Sequence, residues 1–220
     1  MRKLHRSGYR DWLKPDGTGR RTWEKAPKKY VKPKQIFEII QRRRWEYRRT
    51  PDLYHSRDLA LAALLYLTSG RINEVLRLTR DQFIQDETDP RFLICSSFWV
   101  SKRKKGKQHP VKDIPLPREG AWAPFTRTVE EYISQLGPNE KLFKIGTVRA
   151  YAIIQHITKL PASEEKGYWC HWFRSQSLSY QVNLLRSTQL VASDRGIESP
   201  QTLSHYYVGD WKGHKEEMLK

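Results

Sequence analysis

Apolar residues recur at helical spacing along most of the chain, so the sequence predicts a mostly helical fold. An apolar face made of Ile36, Phe37, Ile39 and Ile40 follows Pro33, which is tolerated in the first turn of a helix. Segment 1–29 carries Gly, Pro and charges without periodicity and predicts an extended or irregular arm. Further helices are expected over 72–78, 124–136, 147–159, 172–187 and 200–208.

Residues 59–67 are apolar on nearly every side, which predicts the buried central helix of the fold. We expect Ser56 to cap the N-terminus of this helix, with Asp58 in its first turn. Ser69-Gly70 is a good signal for its C-terminal end. This apolar run is far shorter than the ~18 residues that a membrane span needs, so no membrane partner is expected.

Two β-prone segments, 91–100 and 111–116, flank a basic stretch over 101–110. This arrangement predicts an antiparallel hairpin with a long basic loop. The expected fold class is therefore mostly α with a small antiparallel β-sheet.

Positive charge dominates the composition, with 41 Lys and Arg against 24 Asp and Glu and a net charge of +17. The first 50 residues hold 17 of these cations against 5 acids, together with seven aromatic residues. Cations mixed with aromatic rings and glycines suit a nucleic-acid strand, because phosphates meet the charges and the rings meet sugars or bases. The composition therefore favours a nucleic-acid-binding protein.

Several other classes are excluded by simple features of the sequence. Cys95 and Cys170 lie far apart and form no Cys-x-x-Cys pair, so neither a disulfide framework nor a zinc finger is indicated. The basic N-terminus is not followed by an apolar core, so a secretory signal is not expected.

Four features, in this order, suggest chemistry: Arg71 after the buried helix, lysines in the hairpin loop, His171-x-x-Arg174, and the pair Tyr206-Tyr207. Each alone is a weak signal, since a lone arginine is usually a surface cation and a late tyrosine is usually a core ring. Together they fit cleavage of a phosphodiester without a metal. Tyrosine attacks phosphorus, two arginines hold the oxygens, histidine assists proton transfer, and a loop lysine reaches the leaving oxygen.

In these residues the chain resembles the tyrosine recombinase (phage-type integrase) family. Residues 57–75 look like the family's first box, with Arg71 as its arginine and Glu74 three positions later. Residues 171–174, His-Trp-Phe-Arg, look like the second box, and 202–206, Thr-Leu-Ser-His-Tyr, look like the nucleophile segment. The start of the catalytic domain at 29–36 and the hairpin at 98–102 and 113–116 also match. The resemblance covers residues 29–208, and its specificity lies in the order and spacing of the motifs.

The resemblance implies a role for each residue. Tyr206 would form a 3′-phosphotyrosine, Arg71, His171 and Arg174 would hold the phosphate, and Lys102 would protonate the 5′-oxygen. Lys102 is preferred because it opens the loop directly after the strand, and the competing lysines are Lys104, Lys105 and Lys107. Tyr206 is preferred to Tyr207 because of its spacing from Thr202.

The chain departs from the family in three places. Ser175-Gln176 follows the second box, where the family usually has His-Thr or His-Ser. Gly196-Ile197 stands where the family has Gly-His, and His205 or Trp211 are the candidate substitutes for this second histidine. The family's separate core-binding domain is expected to be absent, which leaves a basic arm over 1–28 and a catalytic domain over 29–220.

The resemblance also implies partners and exclusions. We expect double-stranded DNA as substrate, a homotetramer on DNA, no cofactor, no metal and no ATP. The expected localisation is cytoplasmic, in association with the nucleoid, or in the host cell of a mobile element. Two other functions stay open: a catalytically inactive DNA-binding protein of the same fold, and a type IB topoisomerase-like enzyme. The expected DNA contacts are the basic residues Arg20, Arg21, Lys28, Lys29, Arg42, Arg43, Arg44, Arg103, Lys104 and Lys105.

Overall fold

The computed structural model describes residues 31–41, 53–100, 111–158, 168–185, 188–195, 197 and 203. Within them the chain forms helices and one antiparallel sheet, as the sequence predicts. The helices, in chain order, are α1 (Pro33–Gln41), α2 (Leu53–Leu67), α3 (Ile72–Val75), α4 (Ala123–Ile133), α5 (Thr147–Thr158), α6 (Cys170–Leu185) and α7 (Thr188–Asp194). The strands are β1 (Phe83–Gln85), β2 (Phe92–Trp99) and β3 (Val111–Pro117).

Helix α2 is the centre of the fold, as its apolar sequence predicts. Every residue from 59 to 70 is buried, and α2 packs against α1, α4, α5 and α6. An aromatic cluster joins it to its neighbours: Tyr66 lies 4.7 Å from Phe125 between ring centroids, and Phe37 of α1 meets Phe125 edge-on at 5.1 Å. Such ring pairs add about 0.5–1.5 kcal/mol each beyond the burial of their area.

The observed helices differ in detail from the sequence-based expectations. Helix α2 begins at Leu53, so Ser56 lies inside it rather than at its cap and Asp58 lies beyond its first turn. His55 is buried, so the added turn contributes packed surface. Helix α7 is unexpected, because a seven-residue segment has too few apolar positions to show a period. Its Val191 and Ala192 are buried with residues of α6, and this tertiary packing defines the helix.

Helix α3 is also shorter than the predicted 72–78. It ends at Val75, and the chain then pairs with a distant segment. Leu142 donates its backbone N–H to the carbonyl of Leu78 at 3.0 Å, and Thr79 bridges Lys141. Residues 76–78 still turn, with the backbone N–H of Leu78 donating to the carbonyl of Val75 at 3.2 Å, before the chain joins that distant segment.

The sheet has the strand order β1-β2-β3 and is antiparallel throughout. The predicted hairpin is confirmed as β2 and β3, with Trp99 opposite Val111, whereas the short β1 is unexpected. A bulge interrupts β2 between Cys95 and Phe98, and the backbone N–H of Ser97 donates to Asp113 Oδ1 at 2.8 Å. The extra residue resets the alternation, so that Phe98 is buried like Cys95.

Within the described part of the chain, no helix combines the length and apolar character needed to cross a membrane.

Candidate functional site

The turn over residues 68–71, here called the Arg71 turn, connects the buried end of α2 to α3. Thr68 Oγ1 donates to the carbonyl of Leu64 at 2.6 Å and accepts the backbone N–H of Gly70 at 3.0 Å. Ser69 has a φ of 51°, a left-handed conformation that a residue with a side chain adopts at an energetic cost. Contacts from other elements therefore have to hold this turn.

Gly70 is required in the Arg71 turn because a neighbouring strand approaches it closely. A Cβ at this position would lie 2.8 Å from Phe98 Cζ and 2.9 Å from Val75 Cγ2. Phe98 is the residue that the β2 bulge turns toward the core. The bulge thus seats the hairpin directly against the backbone that precedes Arg71.

Arg71 stands at the N-cap of α3 and is oriented by Glu74. Its Nη1 donates to Glu74 Oε1 at 2.9 Å, and its backbone N–H donates to Glu74 Oε2 at 2.6 Å. The Glu74 side chain is 2% exposed and the Arg71 side chain is 33% exposed. The buried Glu74 carboxylate therefore orients the Arg71 guanidinium, which still reaches solvent. An arginine that binds an anion needs both properties.

Arg174 reaches the same turn from α6. Its Nη1 donates to the carbonyl oxygen of Ser69, and the residue is only 6% exposed. The two arginines of the sequence-predicted site therefore meet at one turn, although they are far apart in sequence. A buried guanidinium held in this way supplies a charge that need not be reorganised when an anion binds.

His171 lies in the first turn of α6, three positions before Arg174, because the helix begins at Cys170, two residues before its predicted start. The two residues share one face of α6, because they are three positions apart. The His171 side chain is exposed there, whereas Arg174 is buried. Cys170, directly before His171, is not a nucleophile at neutral pH, because burial raises the pKa of its thiol to about 12.

Four aromatic rings lie close to His171 in the fold: Tyr168 and Trp169 are exposed, and Tyr151 and Trp172 are half-buried against the core; we call these four residues the aromatic ledge. Tyr168 and Trp172 are stacked with ring centroids 4.0 Å apart, and Trp169, 56% exposed, meets Tyr151 edge-on at 6.0 Å. The segment is anchored, since the backbone N–H of Tyr168 donates to Thr158 Oγ1 at 2.6 Å. A rigid aromatic surface therefore lies beside the candidate site.

The other predicted site residues lie outside the described part of the chain. Lys102 falls within 101–110, between the last described residue after β2 and the start of β3, and Tyr206 falls after Leu203. The predicted DNA contacts lie there too, namely Arg20, Arg21, Lys28, Lys29, Arg42, Arg43, Arg44, Arg103, Lys104 and Lys105. Their assignments stay predictions.

Leu203, three residues before Tyr206, is described and fully buried. It packs with Leu178 and Val182 of α6 and with Val191 of α7. The chain that leads to Tyr206 is therefore attached to the helix that carries His171 and Arg174.

Sequence reasoning missed the polar residues that support the arginines. Ser177 Oγ lies 2.7 Å from Ser69 Oγ, and both residues are buried. A signal was present, because Arg174, Ser177 and Gln181 follow the spacing of one helix face. A polar stripe of this kind on an otherwise packed helix indicates side chains that satisfy one another inside the core.

Comparisons with known proteins identify the fold. No protein-family model and no curated protein matches the chain. Solved structures do match, with 17% identity and a TM-score of 0.60 to the XerH site-specific recombinase bound to palindromic difH substrate in a post-cleavage complex. That alignment covers 88% of this chain and 53% of the XerH chain, so this chain spans about half the length of that protein.

Two further structures agree. The pre-cleavage complex of XerH with difH substrate matches with a TM-score of 0.56 and 16% identity, over 80% of this chain and 49% of that one. The Tn1549 transposon integrase in complex with transposon right end DNA matches with a TM-score of 0.55 and 18% identity, over 89% of this chain and 67% of that one. The chain has the fold of a tyrosine recombinase catalytic domain, as the sequence predicts.

Proposed function

We propose that the chain is a site-specific DNA recombinase or integrase that cleaves and rejoins DNA through a 3′-phosphotyrosine intermediate. The observation that carries the proposal is the hydrogen bond from Arg174 to the carbonyl of Ser69, two residues before Arg71. It brings two arginines from separate motifs to one turn, with the exposed His171 one helical turn away. The recombinase fold of the solved neighbours supports the same assignment.

In the proposed reaction the phenolic oxygen of Tyr206 attacks the scissile phosphorus. A bond from Tyr206 to phosphorus forms as the bond from phosphorus to the 5′-oxygen breaks, and Lys102 gives that oxygen a proton. Arg71 and Arg174 stabilise the charge that develops on the non-bridging oxygens, and His171 assists the removal of the phenolic proton. The covalent ester conserves the energy of the phosphodiester, so religation is the same reaction in reverse and uses no ATP.

Double-stranded DNA is the proposed substrate, and the net charge of +17 favours it. The catalytic domain would extend over 29–220, and the arm over 1–28 would supply much of the sequence-independent affinity through its cations. The aromatic ledge, next to His171, would lie against the DNA near the cleaved phosphate. Four protomers would assemble on two duplexes, as the family resemblance implies.

An inactive DNA-binding protein of the same fold is the main alternative. Its support is Ile197, which stands where the family has its second histidine. An enzyme of the type IB topoisomerase class is the other alternative, and it would form the same covalent bond without strand exchange.

Nicked suicide duplexes separate these functions. The probes are duplexes tiled across the DNA that flanks the gene, each with a nick that lets the short 5′-hydroxyl fragment diffuse away and traps the cleaved state. We expect a covalent protein–DNA adduct on at least one duplex, without metal or ATP, and recombinant products when two intact copies are supplied. DNA binding without any adduct would favour the inactive protein. Plasmid relaxation without recombinants would favour the topoisomerase.

A further inference from the structure

A continuous chain of hydrogen bonds links the end of α7 to the turn that carries Arg71. Arg195, directly after α7, donates from Nε to Gln181 Oε1 at 2.7 Å. Gln181 Nε2 then donates to both Ser69 Oγ and Ser177 Oγ, at 2.9 Å each. The carbonyl of Ser69 in turn accepts the hydrogen bond from Arg174.

The direction of this chain is fixed by chemistry. A guanidinium has donors and no acceptor, so the Gln181 amide must present its oxygen to Arg195. Its nitrogen therefore points to the two serine hydroxyls, which are 2.7 Å apart and bond to each other. A displacement of Arg195 therefore alters the hydrogen bond to Ser69, because the Gln181 amide connects the two residues and has only one possible orientation.

Ser69 is the residue at which such a linkage matters. Its backbone is left-handed, with a φ of 51°, and a residue with a side chain adopts this conformation at an energetic cost. The side-chain bonds from Ser177 and Gln181 offset this cost and fix the direction of the Ser69 carbonyl. That carbonyl accepts the hydrogen bond from Arg174. Arg71 follows Ser69 by two residues, so the backbone of Ser69 also affects the position of Arg71.

We propose that Gln181 and Arg195 are positioning residues that couple the seating of α7 to the geometry of Arg71 and Arg174. The proposal rests on the proposed function, because it concerns the same phosphate site. Helix α7 and Leu203, near the expected nucleophile, pack together on α6, so docking of that segment and alignment of the arginines share one hydrogen-bonded chain.

The polar character of the chain argues for this role over simple packing. An apolar residue at position 181 would fill the same space without burying an amide, and buried polar groups cost stability unless every bond is made. A hydrogen-bonded chain, unlike apolar packing, fixes the orientation of the groups that it joins. That orientation matters because a displacement of about 1 Å at a reacting centre can lower the rate about 10²-fold.

Two variants of Gln181 test the proposal. Gln181→Met keeps the volume and removes all of the bonds, whereas Gln181→Glu keeps the acceptor for Arg195 but loses the N–H donor to both hydroxyls. We expect Gln181→Met to lower the single-turnover rate of adduct formation on a suicide duplex about tenfold or more. Its dissociation constant for DNA should stay within about threefold of the wild type. Gln181→Glu should also be slow, because the bond to Arg195 alone does not reach Ser69.

Gln176→Met is the matched control. Gln176 is also buried on α6, but its Oε1 accepts the backbone N–H of Val31 at 3.1 Å. This variant should lose thermal stability as Gln181→Met does and keep the wild-type rate. A normal rate for Gln181→Met, or an equal loss of rate in both variants, would overturn the proposal while leaving the proposed function intact.

A measurement without cleavage completes the test. The ¹⁵Nε resonance of the Arg174 side chain should shift or broaden in Gln181→Met and stay unchanged in Gln176→Met. If the wild type forms no adduct on any duplex, the proposed function fails, and this resonance alone decides whether Gln181 controls Arg174. An unchanged resonance in Gln181→Met would end the inference.

Discussion

Arg174 donates a hydrogen bond from Nη1 to the carbonyl oxygen of Ser69, and this contact joins the helix of the second motif to the turn of the first. Ser69 is buried and left-handed, and its hydroxyl is held by Ser177. Arg71, two residues later, is aimed separately by the buried carboxylate of Glu74. The arginines are thus fixed by different partners around one turn, so changes to each can be tested independently.

Replacement of either arginine should abolish catalysis without abolishing DNA binding. Arg71→Ala and Arg174→Ala should each lower the rate of adduct formation by about 10²-fold or more, since each removes a preorganised charge from a developing anion. Affinity for duplex DNA should fall only slightly, because many other cations contribute. Arg127→Ala, which changes an exposed arginine of α4, is the control and should cleave normally.

Arg174→Ala should also lower the stability of the protein. Arg174 is buried and satisfies the Ser69 carbonyl, so its loss should lower the free energy of unfolding by about 1–3 kcal/mol. Denaturant titration compares the variants, and a wild-type rate of cleavage in either one would refute its assignment to the phosphate.

Gly70→Ala should damage the site through sterics alone. The added Cβ would lie 2.8 Å from Phe98 Cζ and 2.9 Å from Val75 Cγ2, so β2 or α3 must shift away. We expect a loss of about 1–3 kcal/mol in the free energy of unfolding, as for other overpacked cores, together with slower cleavage. Gly146→Ala is the control, because a Cβ there meets nothing within 4 Å. Equal stability of the two variants would show that the Arg71 turn can accommodate a Cβ at position 70.

The sequence predicted the central helix, the hairpin, the position of Arg71 after the central helix and the helix that carries Arg174. These features depend on local periodicity and motif order. It did not predict the bulge that turns Phe98 toward Gly70, because a bulge is set by cross-strand partners such as Asp113. The left-handed conformation of Ser69 could not be predicted either, because residues more than a hundred positions away maintain it.

The buried cysteines and Tyr132 should make the protein less stable in alkali. Burial raises the pKa of Cys95, Cys170 and Tyr132 to about 12 in the folded state. Their stabilising effect is complete below the pKa values of the unfolded chain, about 8.5 for cysteine and about 10 for tyrosine. Above these values the unfolded chain releases protons that the folded protein retains, so stability falls with pH, by up to about 1.4 kcal/mol per pH unit and group.

Urea denaturation at pH 8 and pH 10.5 measures this loss, and Cys170→Ala should reduce its slope. A thiol reagent at pH 8 gives an independent check, because neither buried cysteine should react until the protein is unfolded. Rapid labelling of the native protein would contradict the described burial.

Trp169 should contribute to DNA binding through its exposed ring. Stacking of a base or sugar on an aromatic side chain is worth about 1–3 kcal/mol, so Trp169→Ala should weaken binding by about fivefold or more at fixed salt. Trp169→Phe should restore much of the affinity. Leu184→Ala is the matched control, because Leu184 is 61% exposed at the far end of α6, the helix that Trp169 directly precedes. Fluorescence anisotropy compares the variants, and equal affinities for Trp169→Ala and Leu184→Ala would exclude the aromatic ledge from the interface.

Peptide mapping of the trapped adduct tests the central claim most directly. Removal of one hydroxyl in Tyr206→Phe should leave folding and DNA binding unchanged and abolish the adduct, while Tyr207→Phe should retain at least part of the yield. After nuclease and protease digestion, mass spectrometry of the wild-type adduct should find the phosphate ester on Tyr206. An ester on Tyr207 would contradict the assigned nucleophile, and the absence of any adduct from the wild type across the flanking DNA would contradict the proposed reaction itself.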